Sequence, residues 1–511
     1  MRSDPCAYHT RPASHKNRCT VPSLHRQPIT ATTILSYTVL ILLAWLPLPL
    51  GSNRGWSSSL LVIAIAAITV AWVAAQWLSR PPVSTGGVSQ DVASTRAALP
   101  KPAQLLLALL AITQLWVLAQ WALGISADPG QTFRYALLGC AYALLFALVI
   151  VLFNNRKRLT LLLATLVLGG TFQAFYGAWM TLSGTEWLLF GPKEHYRGVV
   201  TGTFVNRNHL AGYLEMSIAC GIGLMLALRD GKPFSWRSLM ELLLSAKLRL
   251  RLALVIMVIA LVMSQSRMGN TGFFSALLVI GGLYILINRK HRLRNGLILA
   301  SLIVIDVLII SQYFGLENLK DRIVQTQLAD VVVDNEVVQR GNVDRDDIAR
   351  YLIPQIAERP FTGFGAGSFK TSFARYPGQD IQGDFDHAHN DYLQFMVEFG
   401  LAGSLPLALF VLISLQQALR ALWRRDSLYR SGVGFGAAMG ILSLLIHSFT
   451  DFNLQIPANA ATFVVLCAIA VLANHHPAPN GNGKKRRRPR IHTPGNGERI
   501  IIGELRSRTG P

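Results

Sequence analysis

Four short polar segments in this very apolar sequence contain the side chains best suited to chemistry. They are Thr201–His209, Ser264–Arg267, Asp386–Tyr392 and His447–Pro457, and each adjoins a long apolar stretch. Ionisable groups close to membrane depth are costly to keep there and usually serve a function. If the apolar stretches cross a membrane with the amino terminus in the cytoplasm, all four segments face the same outer compartment, which makes them the candidates for a functional site.

Arg207 and Arg267 are the side chains suited to binding phosphate. A guanidinium group stays charged at any working pH and presents a planar pair of donors to phosphate oxygens. Each arginine could instead contact a lipid phosphate or the carboxyl end of a helix. Because both stand beside Asn-rich or Ser-rich turns and face an acidic loop, a bound phosphorylated substrate and a lipid contact both stay open.

His389 is a candidate general base, since an imidazole near its ordinary pKa can accept a proton from a hydroxyl group at neutral pH. Asn390 follows it and could orient the ring or the acceptor. The structural alternative is that His389 caps a helix. The alternating acidic and histidine residues of 384–391 also permit a metal site. We favour no metal, because such a polar run is also a good helix start.

The composition excludes an ordinary soluble protein. Hydrophobic residues make up 51% of the 511 residues and charged residues 15%, with a mean hydropathy of +0.37. Soluble domains have about a quarter of their residues charged. The net charge of +21 would suit a nucleic-acid binder, but such proteins lack repeated apolar runs of membrane-spanning length. We therefore expect no nucleic-acid partner.

Twelve apolar stretches approach the length of about 20 residues that a membrane-spanning helix needs. The first follows a 32-residue basic leader without a small-residue cleavage site, so it is expected to be a retained helix. The seventh is short and is expected to extend inward through the basic residues beside it. The stretches lie near 33–50, 57–77, 103–124, 134–153, 159–182, 208–228, 250–264, 271–288, 295–315, 397–418, 433–450 and 457–474.

The basic residues predict how these stretches are oriented. With the amino terminus in the cytoplasm, the inner segments hold 34 of the 48 Lys and Arg residues and the outer segments hold 14. This bias follows the positive-inside rule and places both termini in the cytoplasm. Residues 1–32 would then be a basic leader and 475–511 a disordered basic tail lying against anionic lipid. We expect charges at the outer surface and none deep inside the spans.

One connection is long. Residues 316–396, between the ninth and tenth stretches, form an outer loop of about 80 residues with 13 acidic and 8 basic side chains. Loops of this length are usually functional or disordered, and this one is too apolar for disorder. We predict a helix near Asp346–Glu358 despite Pro354, a turn at Gly363–Gly367, and a second helix that runs from near His389 into the tenth span.

The motifs in these segments resemble those of the O-antigen ligase and O-antigen polymerase superfamily of bacterial envelope glycosyltransferases. The resemblance covers most of residues 200–460 and extends to the long outer loop between the ninth and tenth of twelve spans. Its motifs are Gly202-Thr-Phe-Val-Asn-Arg-Asn-His-Leu-Ala-Gly212, Ser264-Gln-Ser-Arg267, Arg359-Pro-Phe-Thr-Gly-Phe-Gly365, His389-Asn-Asp-Tyr-Leu-Gln-Phe-Met-Val-Glu-Phe-Gly400 and Asp451-Phe-Asn-Leu-Gln-Ile-Pro457.

The resemblance implies an all-α polytopic, GT-C-like membrane protein that uses no cofactor. It would transfer a glycan from undecaprenyl diphosphate to an acceptor hydroxyl on the periplasmic face of the bacterial inner membrane. His389 would be the general base, although the neighbouring His387 leaves its identity open. The expected substrate-binding residues are Arg207, Arg267, Asn206, Asn208, His209, Ser266 and Asn390, with Arg197 and Arg350 as further candidates for the diphosphate.

The acceptor could be lipid A–core, another polyprenyl-linked repeat or a protein, so ligase, polymerase and protein O-oligosaccharyltransferase all stay open. A single displacement with inversion at the anomeric carbon is expected. Since some relatives of this superfamily have been labelled bicarbonate transporters, a small-anion transporter is the alternative from a different class. The expected lack of charges deep inside the spans argues against transport.

Overall fold

The computed structural model describes residues 30–78, 99–228, 246–288, 292, 296, 331–333, 336–339, 343–376, 385–424 and 426–475. In these parts the chain is almost entirely helical, with two short antiparallel hairpins, β1 (Trp187–Leu188) with β2 (Gly191–Pro192) and β3 (Val331–Val333) with β4 (Glu336–Gln339). The helices are α1 (Ala31–Trp45), α2 (Gly55–Leu78), α3 (Lys101–Ala122), α4 (Pro129–Leu152), α5 (Arg156–Leu182), α6 (Arg207–Ala227), α7 (Ala246–Met263), α8 (Arg267–Ile287), α9 (Val343–Glu358), α10 (Phe369–Phe373), α11 (Asp391–Leu422), α12 (Leu428–His447) and α13 (Pro457–His475).

The predicted all-α polytopic membrane fold is confirmed. Nine helices of the described residues are long and apolar enough to cross a membrane, namely α2–α6, α8 and α11–α13. The first and seventh predicted stretches correspond to the shorter helices α1 and α7. The ninth stretch, 295–315, lies outside the described residues except for residue 296, as do nearly all of the basic leader and tail, so the count of twelve spans stays a prediction.

Helices α6, α12 and α13 form the centre of the bundle, and the residues from Pro457 to Asn474 are all buried. Helix α12 packs closely along α6 because both present glycine at the contact. A Cβ atom on Gly223 would lie 2.8 Å from the carbonyl oxygen of Gly432 and 2.8 Å from Cα of Gly436. Small residues that bring backbones together are the usual means of packing helices in membranes, where burial from water contributes little.

Helix α11 is broken at Gly400, whose φ of 59° and ψ of −174° are not helical. The predicted turn fills this break. Leu401 N donates to Pro360 O (2.8 Å), and Gly365 N donates to Glu398 O (2.9 Å). Trp116 Nε1 of α3 donates to Phe399 O, which is also exposed by the break (2.8 Å). The loop is therefore attached to the helix bundle at the point where α11 changes direction.

The loop elements agree with the predictions. Helix α9 contains Pro354 and ends at Glu358 as expected, and α11 begins at Asp391, two residues after the predicted start. The glycines of 363–367 form a tight turn, with positive φ at Gly363, Gly365 and Gly367. A small apolar core that includes Ile348, Leu352, Phe364, Phe369 and Phe373 packs beneath the turn.

The four polar segments lie at one end of the bundle. Val200 N, just before the first segment, donates to Met263 O, just before the second (3.2 Å). Asp391 N, in the third segment, donates to Ser448 O of the fourth (3.0 Å). The amino ends of α6, α8 and α11 thus meet the carboxyl end of α12.

Candidate functional site

A cleft of about 660 Å³ opens where the first, third and fourth polar segments meet. The amino end of α6, the residues before α11 and the turn after α12 form its walls, and the segment before α6 closes one side. Its lining residues are Leu50, Asn53, His195, Tyr196, Val205, Asn206, His209, Phe385, Asp386, His387, His389 and Phe452.

Phe452 is the centre of this cleft, because three histidine rings pack on it. The ring of His387 stacks on it at 4.3 Å between centroids, while those of His209 and His389 meet it edge-on at 4.7 and 4.8 Å. An aromatic ring holds neighbouring rings in place through buried contact area and through the quadrupole of its π system, and neither interaction uses the nitrogens of an imidazole. The imidazoles of two sequence segments are thereby held around one space.

His389 does not cap the helix, so the structural alternative for this residue is wrong. The N-cap of α11 is Asn390, whose Oδ1 accepts from Leu393 N (3.1 Å) and whose Nδ2 donates to Phe449 O (2.9 Å). His389 has a φ of 51°, a left-handed conformation that is uncommon outside glycine. This backbone conformation directly before the cap places the ring against Phe452, and strain of this kind is often found at functional sites.

The start of α11 is fixed by Asp391, which is buried. Its Oδ2 accepts from Ser448 Oγ (2.8 Å) and from Leu454 N (3.1 Å). These bonds join the His389 segment to the turn that carries Phe452. The position of His389 in the cleft therefore depends on Asp391 as well as on the cap.

His387 is a weaker candidate for the base than His389. Burial of the imidazole lowers the pKa of His387 to about 4, outweighing the opposite effects of Asp386 and of the hydrogen bond from Gln394. Gln394 Nε2 lies 3.0 Å from Nδ1 of His387 and 3.1 Å from Oε1 of Glu398. Since the amide donates, His387 Nδ1 accepts that bond and its remaining nitrogen carries the proton.

The predicted asparagine and serine residues mainly shape helix ends. Asn206 Oδ1 caps α6 by accepting from Asn208 N (2.8 Å), and Ser266 Oγ caps α8 by accepting from Gly269 N (3.2 Å). Asn206 also lines the cleft, whereas Asn208 is buried in the first turn of α6 and Ser266 is buried directly before α8. Contact of Ser266 and Asn390 with substrate stays a prediction.

The predicted arginines do not converge. The Arg207 guanidinium lies over the ring of Tyr196, 5.5 Å from its centroid, at the wall of the cleft. Arg197 is exposed and donates through Nε to Lys193 O (3.0 Å). Arg267 is exposed at the start of α8, and Arg350 is exposed on α9. None of these four arginines lines the cleft that the described residues form, although Arg207 contacts Tyr196, which does.

The described residues of the alternating run 384–391 are divided between two places, because Asp386, His387 and His389 line the cleft and Asp391 does not. Asp391 faces Ser448 and Leu454, while His387 stacks on Phe452. No group of three or more His, Cys, Asp or Glu side chains among the described residues is arranged to hold a metal ion, and Asp384 lies outside them.

Sequence reasoning overlooked two features of the site. One is the aromatic support, Phe452 and Tyr196, which carries no signal of chemistry in the sequence. The other is Glu215, which is completely buried in the third turn of α6 and lies 2.7 Å from Nδ1 of the equally buried His447. The expectation that no charged side chain lies inside a span is therefore wrong for Glu215. This residue could have been found by inspecting the sixth stretch for acidic residues.

A comparison with known protein families finds a match in the middle of the chain. Residues 252–408 match the family model described as O-antigen ligase. The resemblance to the O-antigen ligase superfamily is thereby confirmed. No curated protein matches the chain.

The O-antigen ligase match contains three of the five motifs, those at 264–267, 359–365 and 389–400. The other two, 202–212 and 451–457, lie outside it, yet they supply His209 and Phe452 to the same cleft. The match supports a ligase- or polymerase-type glycosyltransferase in a multi-pass membrane protein, with lipid-linked glycans as the general class of substrate.

Proposed function

We propose that the protein is a metal-independent, inverting glycosyltransferase. It moves a glycan from undecaprenyl diphosphate to an acceptor hydroxyl on lipid A–core or a similar glycan, at the periplasmic face of the bacterial inner membrane, with both termini in the cytoplasm. His389 is the general base, and the cleft around Phe452 is the place of transfer. The observation that carries the proposal is the convergence of three imidazoles at one cleft, with Arg207 beside its wall over Tyr196, next to an O-antigen ligase match.

His389 is the favoured base for a geometric reason. Of the two histidines near the start of α11, His387 uses Nδ1 to accept a bond from Gln394, and His389 lines the cleft with its ring edge-on to Phe452. A base must present an unprotonated nitrogen within hydrogen-bond reach of the acceptor hydroxyl. His209, across Phe452, is near enough to the same space to orient the acceptor.

The diphosphate is expected at the amino end of α6. The first backbone N–H groups of a helix and the positive end of its dipole favour an anion, and Arg207 is the first residue of this helix. Asn206, its cap, lines the cleft. Arg267, Arg197 and Arg350 are assigned to a more distant part of the donor, since a lipid-linked glycan extends well beyond one cleft.

The reaction proposed is a single displacement. The acceptor oxygen forms a bond to the anomeric carbon while its proton passes to His389, and the bond from that carbon to the diphosphate oxygen breaks. The leaving undecaprenyl diphosphate carries the negative charge, which Arg207 and the α6 amino end stabilise without reorganisation. One displacement inverts the configuration at the anomeric carbon, so a product of retained configuration would exclude this mechanism.

The central experiment uses the purified full-length protein in proteoliposomes with a donor glycan on undecaprenyl diphosphate. We expect His389→Ala to reduce kcat about 10²- to 10⁴-fold, the usual contribution of a general base. Arg207→Ala should raise KM for the donor and lower kcat, and Arg267→Ala tests the more distant assignment. The matched control is His475→Ala, at the end of α13. Full transfer by His389→Ala would refute the assignment of the base.

Two further arms test the finer claims. Transfer in EDTA should equal transfer without it, and loss of transfer would restore the metal alternative. Lipid A–core, a second polyprenyl-linked repeat and a protein acceptor are offered separately, so that the acceptor which is glycosylated distinguishes a ligase from a polymerase and from a protein O-oligosaccharyltransferase.

A small-anion transporter stays the alternative because Glu215 lies inside α6, where an ionisable residue often marks an ion pathway. Because Glu215 lies deep inside a span, the expected lack of charges there does not exclude transport. The O-antigen ligase match favours transfer. Uptake of labelled bicarbonate by the same proteoliposomes, together with an untouched glycan donor, would reverse the choice.

A further inference from the structure

A buried acidic group and histidine connect α6 to α12 below the cleft. Glu215 Oε1 lies 2.7 Å from Nδ1 of His447, and Ser443 Oγ donates to Glu215 Oε2 (2.6 Å). Both Glu215 and His447 are fully buried among apolar helices. A pair of this kind contributes little to stability, because the cost of removing both groups from water offsets their attraction.

The pair continues to the cleft through Asp451, which is 1% exposed. Its Oδ2 lies 3.9 Å from Nε2 of His447, and its Oδ1 lies 3.8 Å from Nε2 of His209. His209 lines the cleft and meets Phe452. Acidic and imidazole groups therefore alternate from the interior of the bundle to the wall of the cleft, in the order Glu215, His447, Asp451 and His209.

Helix α8 is built to leave room for Glu215. A Cβ atom on Gly269 would lie 3.2 Å from Glu215 Oε1 and 2.6 Å from Cβ of Ala211, and one on Gly272 would lie 3.3 Å from Glu215 Oε2 and 2.8 Å from Ser443 O. The amino end of α8 belongs to the O-antigen ligase match and carries the Ser264–Arg267 motif. Three helices thus enclose the Glu215 carboxyl group.

We propose that Glu215, His447 and Asp451 are positioning residues for glycan transfer, acting through His209. This inference depends on the proposed function. When the acceptor proton moves to His389, the cleft gains a positive charge beside Phe452. The Asp451 carboxyl group, adjacent in sequence to Phe452, stabilises that charge and orients His209, and the Glu215–His447 pair fixes Asp451 from behind. No proton or electron leaves the cleft through this row of acidic and imidazole groups.

The test begins with the donor assay of the proposed function. Glu215→Gln and His447→Gln should each lower kcat on the order of 10- to 100-fold, the range of a coupling inside one ion-pair network, with KM for the donor unchanged. Because the two residues act as a unit, the double variant should lose no more than either single variant. Glu215→Asp, which keeps the carboxyl group, should recover part of the loss. Ser443→Ala removes one hydrogen bond to the Glu215 carboxyl group and should therefore lower kcat less than Glu215→Gln does.

The matched control is Gln417→Met. Gln417 makes a buried hydrogen bond to Asn474 (2.8 Å) between α11 and α13, a polar pair with no link to the cleft among the described contacts. It should lower the melting temperature about as much as Glu215→Gln without changing kcat. Unchanged kcat in Glu215→Gln, an increase in KM alone, or losses that multiply in the double variant would each overturn the inference.

A readout without turnover separates this inference from the proposed function. The rate at which diethylpyrocarbonate modifies His209, measured by peptide mass spectrometry against His195 as internal reference, should change in Glu215→Gln and stay at the wild-type value in Gln417→Met. Equal rates in all three proteins would refute the connection from Glu215 to His209. If the wild-type protein transfers no glycan, yet the rate at His209 differs between the wild type and Glu215→Gln, the proposed function alone is refuted.

Discussion

Gly400→Ala tests whether the break in α11 organises the site. At Gly400 φ is 59° and ψ is −174°, a combination that is nearly restricted to glycine. A Cβ atom there would collide with the carbonyl group of Phe361 and lie 2.6 Å from Gly363 N. Both neighbours are backbone atoms of the turn, so neither can move aside as a flexible side chain would.

The expected loss follows from these two effects. A residue forced into such a conformation costs about 1–3 kcal/mol, and inserting a methyl group into a packed contact costs about 1–3 kcal/mol more. Together they amount to about 2–6 kcal/mol, which reaches the lower end of the total stability of a typical domain, about 5–15 kcal/mol. We expect a large decrease in the melting temperature of the detergent-solubilised protein. We also expect the turn at 360–365 to be displaced from the break in α11, where it packs.

The assay compares Gly400→Ala with Gly282→Ala. Gly282, in α8, has no atom within 4 Å of an added Cβ, so alanine should be neutral or should stabilise the helix by about 0.5–1 kcal/mol. Melting temperature and glycan transfer are measured for both variants. If Gly400→Ala melts like Gly282→Ala, the break is not held by the turn, and the physical account of how the loop attaches to the bundle is wrong.

Three further predictions concern the cleft. Because the folded protein lowers the pKa of His387 from 6.5 to about 4, the unfolded chain binds more protons between these pH values. The contribution of His387 to the free energy of unfolding should therefore be fully present above pH 6.5 and be lost as the pH drops towards 4. His387→Gln should flatten this dependence of the melting temperature on pH. Asn390→Ala should cost about 1 kcal/mol through the lost cap, whereas Asn390→Asp should retain most of the stability, and equal melting temperatures would contradict the cap. Lys193→Met removes the bond to Glu186 (2.8 Å) that ties down the segment carrying Tyr196, so proteolysis between 183 and 206 should accelerate while the melting temperature of the helix bundle stays the same.

The fold was largely predictable because the bilayer imposes a length and a composition on each helix. The apolar stretches gave the positions of the helices, and acidic and glycine residues gave α9 and the turn at 363–367. The break at Gly400 was not predicted, since a lone glycine within an apolar stretch is compatible with an unbroken helix. It depends on backbone bonds from Pro360 and Phe361, which are distant in sequence.

The site was predictable in part, and the division has a physical cause. His389, His209 and Asn206 were found because polar residues at span ends are conspicuous in an apolar sequence. Asn206, Ser266 and Asn390 cap helices. Asparagine and serine are equally suited to binding a ligand, so the sequence does not distinguish the two roles. Phe452 was not found, because an aromatic residue next to a span has the same appearance whether it supports a site or contacts lipid.

The distribution of charge at the cleft narrows where the donor diphosphate can bind. The net charge of +21 resides mainly in segments predicted to be cytoplasmic, so it contributes little at the opposite end of the bundle. At the cleft itself His387 is neutral at physiological pH, and the nearby carboxyl groups of Asp391 and Asp451 are buried. Of the four predicted arginines, Arg207 is the one that lies beside the cleft, at the amino end of α6, so we expect its replacement to weaken donor binding most.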